Sequence, residues 1–149
     1  YIGTVSAGTL RTEDLLYTFA PELLIQQNHK PSDLTNEAFR LLGMGVEWTD
    51  EQEEEAEEIV NELIDALNEY CPPFVYFGSH PGDGADFGFW PDIESIEEAL
   101  RYAEDTDDDE VKYLPADGLS PADGLLVHVS DHGNILVMDM YRNELWSCV

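Results

Sequence analysis

Carboxylates are the groups through which this sequence could do chemistry. Of its 33 Asp and Glu residues, 22 lie between Asp50 and Glu110, where Arg101 is the sole Lys or Arg. Most of the formal net charge of −27 therefore sits in the middle of the chain. Two blocks concentrate it. Asp50, Glu51, Glu54, Glu55, Glu58, Glu62, Asp65 and Glu69 recur at spacings that put several of them on one side of a helix. Glu104, Asp105, Asp107, Asp108, Asp109 and Glu110 form a nearly unbroken run. One-signed charge of this density repels itself and opposes compaction, and ordinary solvated faces mix signs. Such a surface repels nucleic acid, attracts a basic partner, or puts carboxylates where that partner expects phosphates. Duplex DNA carries a charge every ~1.7 Å of axis. A carboxylate row from Glu51 to Glu69 would extend roughly 27 Å at ~1.5 Å per residue, so one row is sparser than a duplex and both blocks are needed. A plain solvated surface and a halophilic one are the competing readings. The second sits poorly with residues 111–149, which hold only five acids.

The remaining constellations are weaker. His80, Asp83 and Asp86 share the segment His80-Pro81-Gly82-Asp83-Gly84-Ala85-Asp86, and His132 follows Asp131. Brought together, His80, Asp83, Asp86 and His132 could take a divalent ion. Their spacing matches no specific ligand signature, and Gly-Asp pairs equally suit tight turns, so no metal or other cofactor is expected. Gly82-Asp83-Gly84 lacks the Lys and Ser/Thr of a phosphate-binding loop. Ser79, His80 and Cys71 form no recognisable nucleophilic arrangement, so no catalytic residue is assigned. Trp48, Trp90 and Trp146 read as core or core-edge residues. Cys71 and Cys148 sit among apolar neighbours and read as buried free thiols.

These groups need a scaffold, and 149 residues with 43% hydrophobic content can build one. Thr12-Glu13-Asp14 opens a helix with Thr12 as cap candidate, carrying Leu15, Leu16, Phe19, Leu23 and Leu24 at helical spacing, with Pro21 as a kink or restart. Pro31-Ser32-Asp33 opens a second helix with Leu34, Ala38, Phe39, Leu41 and Leu42, stopped by Gly43 and Gly45. Thr49 caps a third, running to about Tyr70 before Pro72-Pro73, with Ala56, Ile59, Val60, Leu63, Ile64, Leu67 and Tyr70 as its apolar stripe. Phe74–Phe77 and Phe87–Trp90 read as strands around a glycine-rich loop, Gly78–Gly84. A fourth helix, about 93–103, turns Ile93, Ile96 and Leu100 inward, and the acidic run 104–110 reads as a loop because negative charge at a helix C-terminus opposes the macrodipole. Val111–Leu114, Leu125–Val129, Ile135–Tyr141 and Glu144–Val149 form a meander, with a turn at Asp131–Asn134. The expectation is one α+β domain: helical over 1–70, β-rich over 71–149, with an antiparallel sheet of four or five C-terminal strands covered by three or four mostly N-terminal helices.

Two stretches, Tyr76 through Pro91 (YFGSHPGDGADFGFWP) and Val129 through Asn134 continuing to Glu144-Leu145-Trp146-Ser147, resemble small acidic proteins of bacteriophages and mobile elements. The resemblance covers the C-terminal half alone and transfers no functional residue. It implies a setting in which anti-CRISPR and anti-restriction proteins are common, several of them acidic DNA mimics. The expected function is a non-enzymatic inhibitor that occupies the basic DNA- or RNA-binding surface of a host defence complex. An immunity or antitoxin protein capping a basic nuclease toxin comes second, and a metal-dependent enzyme third. The partner is a basic nucleic-acid-binding protein or nucleoprotein complex. With six Lys and Arg residues scattered along the chain, direct nucleic-acid or membrane binding is not expected. The setting is the reducing bacterial cytoplasm; Tyr1 implies at least a preceding initiator Met. Leu145–Val149 is a candidate sheet edge through which a homodimer could form.

Overall fold

The computed structural model describes residues 2–44, 47–115 and 124–148. Four helices and eight strands follow in the order β1 (Gly3–Ser6), α1 (Thr12–Gln26), α2 (Asp33–Leu42), α3 (Asp50–Glu69), β2 (Val75–His80), β3 (Asp83–Pro91), α4 (Ile93–Leu100), β4 (Glu104–Asp105), β5 (Val111–Leu114), β6 (Leu125–Val129), β7 (Ile135–Met138) and β8 (Glu144–Cys148). The fold is α+β, with helices mostly N-terminal and a five-stranded antiparallel sheet, β4-β5-β6-β7-β8, in the C-terminal half. A second sheet, ordered β1-β3-β2, adds to the one expected. The chain divides into two compact units. One comprises Gly3–Cys71 and Phe77–Trp90; the other comprises Tyr1–Ile2, Pro72–Tyr76 and Pro91–Val149. The helical part thus takes most of the β2–β3 hairpin with it, rather than ending near residue 70.

In the helical unit, α1 packs against α2, α3 and β1, and α2 against α3. The core is Leu16, Phe19 and Leu23 of α1, Ala38 and Leu41 of α2, and the α3 stripe Ala56, Ile59, Val60, Leu63 and Leu67, all buried. Phe19 meets Phe77 and Phe87 edge-on at centroid distances of 5.1 and 5.4 Å, tying α1 to the sheet. Aromatic pairs in this geometry add stability beyond the area they bury. α1 runs unbroken through Pro21, and its cap is Arg11, which makes no side-chain cap bond; Thr12 is already helical. Ser32 caps α2 reciprocally with Thr35, and Phe39, expected on the buried face, is exposed. Gly43 is the α2 C-cap; Gly45 lies outside the described residues.

The expected loop Gly78–Gly84 is mostly strand, since β2 continues to His80 and β3 starts at Asp83 with Pro81-Gly82 between them. β2 begins one residue later than expected because Phe74 has φ +63° and closes a turn in which Val75 N donates to Pro72 O. Gly88 has no substitute: β1 crosses so closely that a Cβ would stand 2.1 Å from the Gly3 carbonyl oxygen.

In the other unit, the sheet register aligns Val127, Val137 and Trp146 on one face, all buried. The opposite face carries Val111, Leu126 and Met138, with Tyr113 and Leu136 packed against them. Trp146 donates from Nε1 to Pro73 O at 2.7 Å. α4 packs against β5; its Ile96 is fully buried, but Ile93 faces outward, and the helix stops at Leu100 rather than 103.

Candidate functional site

The third helix is the best-specified element of the molecule, and its specification explains its surface. Thr49 accepts from Gln52 N and Gln52 reaches back to Thr49 N, a reciprocal cap that holds two otherwise orphaned donors. Asp50, Glu51 and Glu53 then fall in the first turn, where the macrodipole favours negative charge. At 100° per residue, the stripe Ala56, Val60, Leu63 and Leu67 faces inward, and Glu51, Glu54, Glu58, Glu62, Asp65 and Glu69 fall on the opposite side. All six are exposed. Ile64 is half-buried and Tyr70 is largely exposed, so the apolar stripe is narrower than its seven candidates.

Glu55 differs from its neighbours. It is half-buried, and its Oε1 accepts from Arg40 Nη2 at 2.6 Å, while Arg40 also holds Glu37 Oε2 at 2.9 Å. The two carboxylates raise the Arg40 pKa, first through the Glu37 hydrogen bond. Among the described residues Glu55 is the single α3 acid in an ion pair. Asp50, Glu51, Glu54, Glu58, Glu62, Asp65 and Glu69 therefore stand uncompensated in that set.

The second block lies in the other unit and is not a simple loop. Glu104 and Asp105 form β4, pairing with Tyr113 and Lys112 of β5. Residues 106–110 form the expected loop, whereas Glu104–Asp105 is strand; Lys112 sits across from Asp105, and the ion pair between them holds the Asp105 carboxyl below its usual range. The turn that follows is internally bonded. Thr106 Oγ1 donates to Val111 O at 2.8 Å, and Asp108 Oδ1 accepts from Glu110 N at 3.1 Å. Glu110 Oε2 lies 2.9 Å from His128 Nε2. All six acids are exposed, and Glu104, Asp107 and Asp109 have no ion-pair partner among the described residues. Each block is a surface feature of its own unit.

Two of the four His/Asp candidates, His80 and Asp83, serve a turn. His80 Nδ1 accepts from Gly82 N at 3.0 Å, and Asp83 Oδ1 from Ala85 N at 3.0 Å, closing the β2–β3 connection. One Asp86 carboxylate oxygen is buried without a partner. His132 is exposed in the β6–β7 turn, which is fixed by Ser130 and Asn134. Among the described residues no group of three or more His, Cys, Asp and Glu is arranged to hold a metal ion. The three tryptophans are anchors as expected: Trp146 is buried, and the half-buried Trp48 and Trp90 donate to Leu41 O and Gly78 O. The cysteines are free but half-buried, not buried; partial burial pushes the Cys71 thiol up to about 11. β8 is an edge strand as anticipated, with Val149 outside the described residues.

Sequence reasoning missed the wall opposite α3. A groove of about 610 Å³ runs between α2 and α3, with Asp33 and Glu37 on one side and Glu55, Glu58, Glu62, Asp65 and Glu69 on the other. Leu34, Ile59 and Ala66 form its apolar floor. The available signal was Glu37 three residues before Arg40, an ion-pair spacing on a short acidic helix.

The comparisons with known proteins are silent. No family model, no curated protein and no solved structure matches the chain. No helix among the described residues is long and apolar enough to cross a membrane.

Proposed function

We propose that the protein is a non-enzymatic acidic inhibitor that imitates DNA or RNA and occupies the basic nucleic-acid-binding surface of another protein. One observation carries the reading. The α3 row Glu51, Glu54, Glu58, Glu62, Asp65 and Glu69 lies opposite the buried stripe, exposed and without an ion-pair partner among the described residues. Apart from Glu51, which suits the positive end of the helix dipole, those carboxylates make no ion pair among the described residues, and their mutual repulsion at i,i+4 costs a few tenths of a kcal/mol per pair. A basic surface would remove that cost on docking, and long-range attraction would speed the encounter. Charge-assisted bonds from Arg and Lys would then replace those the partner makes to phosphates. A host defence complex as target, of anti-CRISPR or anti-restriction type, in a bacterial cytoplasm, rests on the phage-like resemblance of the two C-terminal stretches alone.

The test is a variant with Glu54→Lys, Glu58→Lys and Glu62→Lys, residues outside the core and free of the Arg40 bridge. Basic proteins captured from bacterial lysate by the native chain should be released by added duplex or single-stranded nucleic acid. They should be lost by the variant, whose circular dichroism is unchanged. Capture insensitive both to nucleic acid and to charge reversal rules the reading out. Capture of a single nuclease encoded beside this chain would instead mark it as an antitoxin.

A further inference from the structure

We infer that the α2–α3 groove seats an arginine-rich helix of the partner, which lays one apolar side chain on the groove floor; this rests on the inhibitor reading above. The floor is the starting point. Leu34, Ile59 and Ala66 form an apolar bottom in a groove of about 610 Å³, room for several side chains. A surface that only imitated phosphates would need no apolar recess between its charges. The rims then restrict the occupant. Seven carboxylates line the groove and Arg40 holds two of them, Glu37 and Glu55, so an apolar segment without positive charge would leave the other five desolvated and unpaired.

The chain itself supplies a guanidinium in the required position. Arg40 spans the rims, bonding Glu37 through Nε and Nη2 at 3.2 and 2.9 Å and Glu55 through Nη2 at 2.6 Å. One Arg thus bridges a carboxylate of each helix at one end. Glu58, Glu62, Asp65 and Glu69 continue the α3 rim with no such partner among the described residues. A planar guanidinium suits these bridges better than an ammonium. Spacing selects a helix over an extended strand. The rim acids recur every three or four residues, roughly 5 Å along the axis. A helix lying alongside presents Arg residues at i, i+3 or i+4, and i+7 with the same rise. An extended chain advances about 6.6–6.8 Å per same-side residue and falls out of step within a few charges.

Two synthetic helical peptides of about 18 residues test the inference by calorimetry at about 150 mM salt. Both carry Arg at every third or fourth position; one has Leu at the centre of that same groove-facing side and the other Gln there. The native chain should bind the Leu peptide about tenfold more tightly, the scale of burying one such side chain. Ala66→Trp, which fills the groove at constant charge, should erase that preference while the Gln peptide binds as before. Ala66→Gln, a smaller change on a helix surface, should reduce it if the Trp variant loses its helical signal. Equal affinity for the two peptides, or a tenfold preference that survives a folded Ala66 variant, overturns the groove. If that equal binding is lost on charge reversal of Glu54, Glu58 and Glu62, the inhibitor reading still stands. Failure of both peptides to bind even at low salt overturns both.

Discussion

Arg40 shows how much one cation matters on so acidic a surface. It links α2 to α3 and removes Glu55 from the pool of free acids that the spacing of α3 had suggested. Its ion pairs are solvent-accessible, so their net stabilisation is small; its effect is on which carboxylates remain available. Cys71 carries a different residue-scale consequence. With its thiol raised to about 11 by partial burial, its thiolate fraction at pH 8 falls on the order of 100-fold below that of an ordinary cysteine. Iodoacetamide should therefore label it about 100-fold more slowly than free cysteine at that pH, as followed by peptide mass spectrometry. Labelling at the free-thiol rate would show that the site opens. The sequence placed both cysteines beside apolar residues, and that was legible. Their partial exposure was not, because it depends on where neighbouring chain segments end.

At the scale of elements, α3 depends on its C-terminal end as much as on its cap. Its last turn has no basic residue, so the macrodipole there is uncompensated by charge. Asn68 supplies another fastening. Its amide accepts from Phe77 N and donates to Phe77 O, both at 2.9 Å, while Nδ2 also donates to Ile64 O at 3.0 Å. One side chain thereby does the work of a neighbouring strand for β2. Asn68→Ala should lower stability by about 1–3 kcal/mol, the penalty for leaving partly buried backbone groups unpaired, measured by urea denaturation. A change under 0.5 kcal/mol would mean that water takes over both bonds. No sequence pattern pointed to Asn68, since its value lies in a contact nine residues away. Periodicity did reveal α3, and short β-branched and apolar runs bounded by turn residues revealed the β6–β7–β8 meander. It failed at Gly78–Gly84, where glycines read as a loop although the backbone pairs through them. It failed again at Glu104-Asp105, a two-residue strand set by pairing with Tyr113 and Lys112 of β5.

For the whole molecule, a formal charge of −27 makes ionic strength a stability variable. Raising NaCl from about 20 mM to 500 mM shortens the Debye length from roughly 20 Å to about 4 Å and screens repulsion along α3. The midpoint of thermal unfolding should rise by about 2–4 °C, equivalent to about 1 kcal/mol for a chain of this size. A Tm that falls with salt would show that exposed ion pairs, such as Arg11–Glu13, outweigh the repulsion. The same salt should weaken capture of a basic partner, so stability and binding are expected to move in opposite directions. That opposition separates a binding surface from a merely tolerated one. The acidic blocks were legible as a charge count, and their exposure followed from helical spacing. The groove was not, because its two walls come from helices separated by the segment 43–49 and meet only through packing.

One feature of α3 bears on how such a protein could change over generations. Its inward residues hold the fold, while Glu54, Glu58, Glu62, Asp65 and Glu69 on the outer side make no ion pair among the described residues, so the two sets answer to separate constraints. Substitutions along Glu51 to Glu69 on the outer side can accumulate without disturbing Leu63 or Leu67. A lineage built this way can follow a target that alters its own basic surface, redrafting one face while inheriting the core intact.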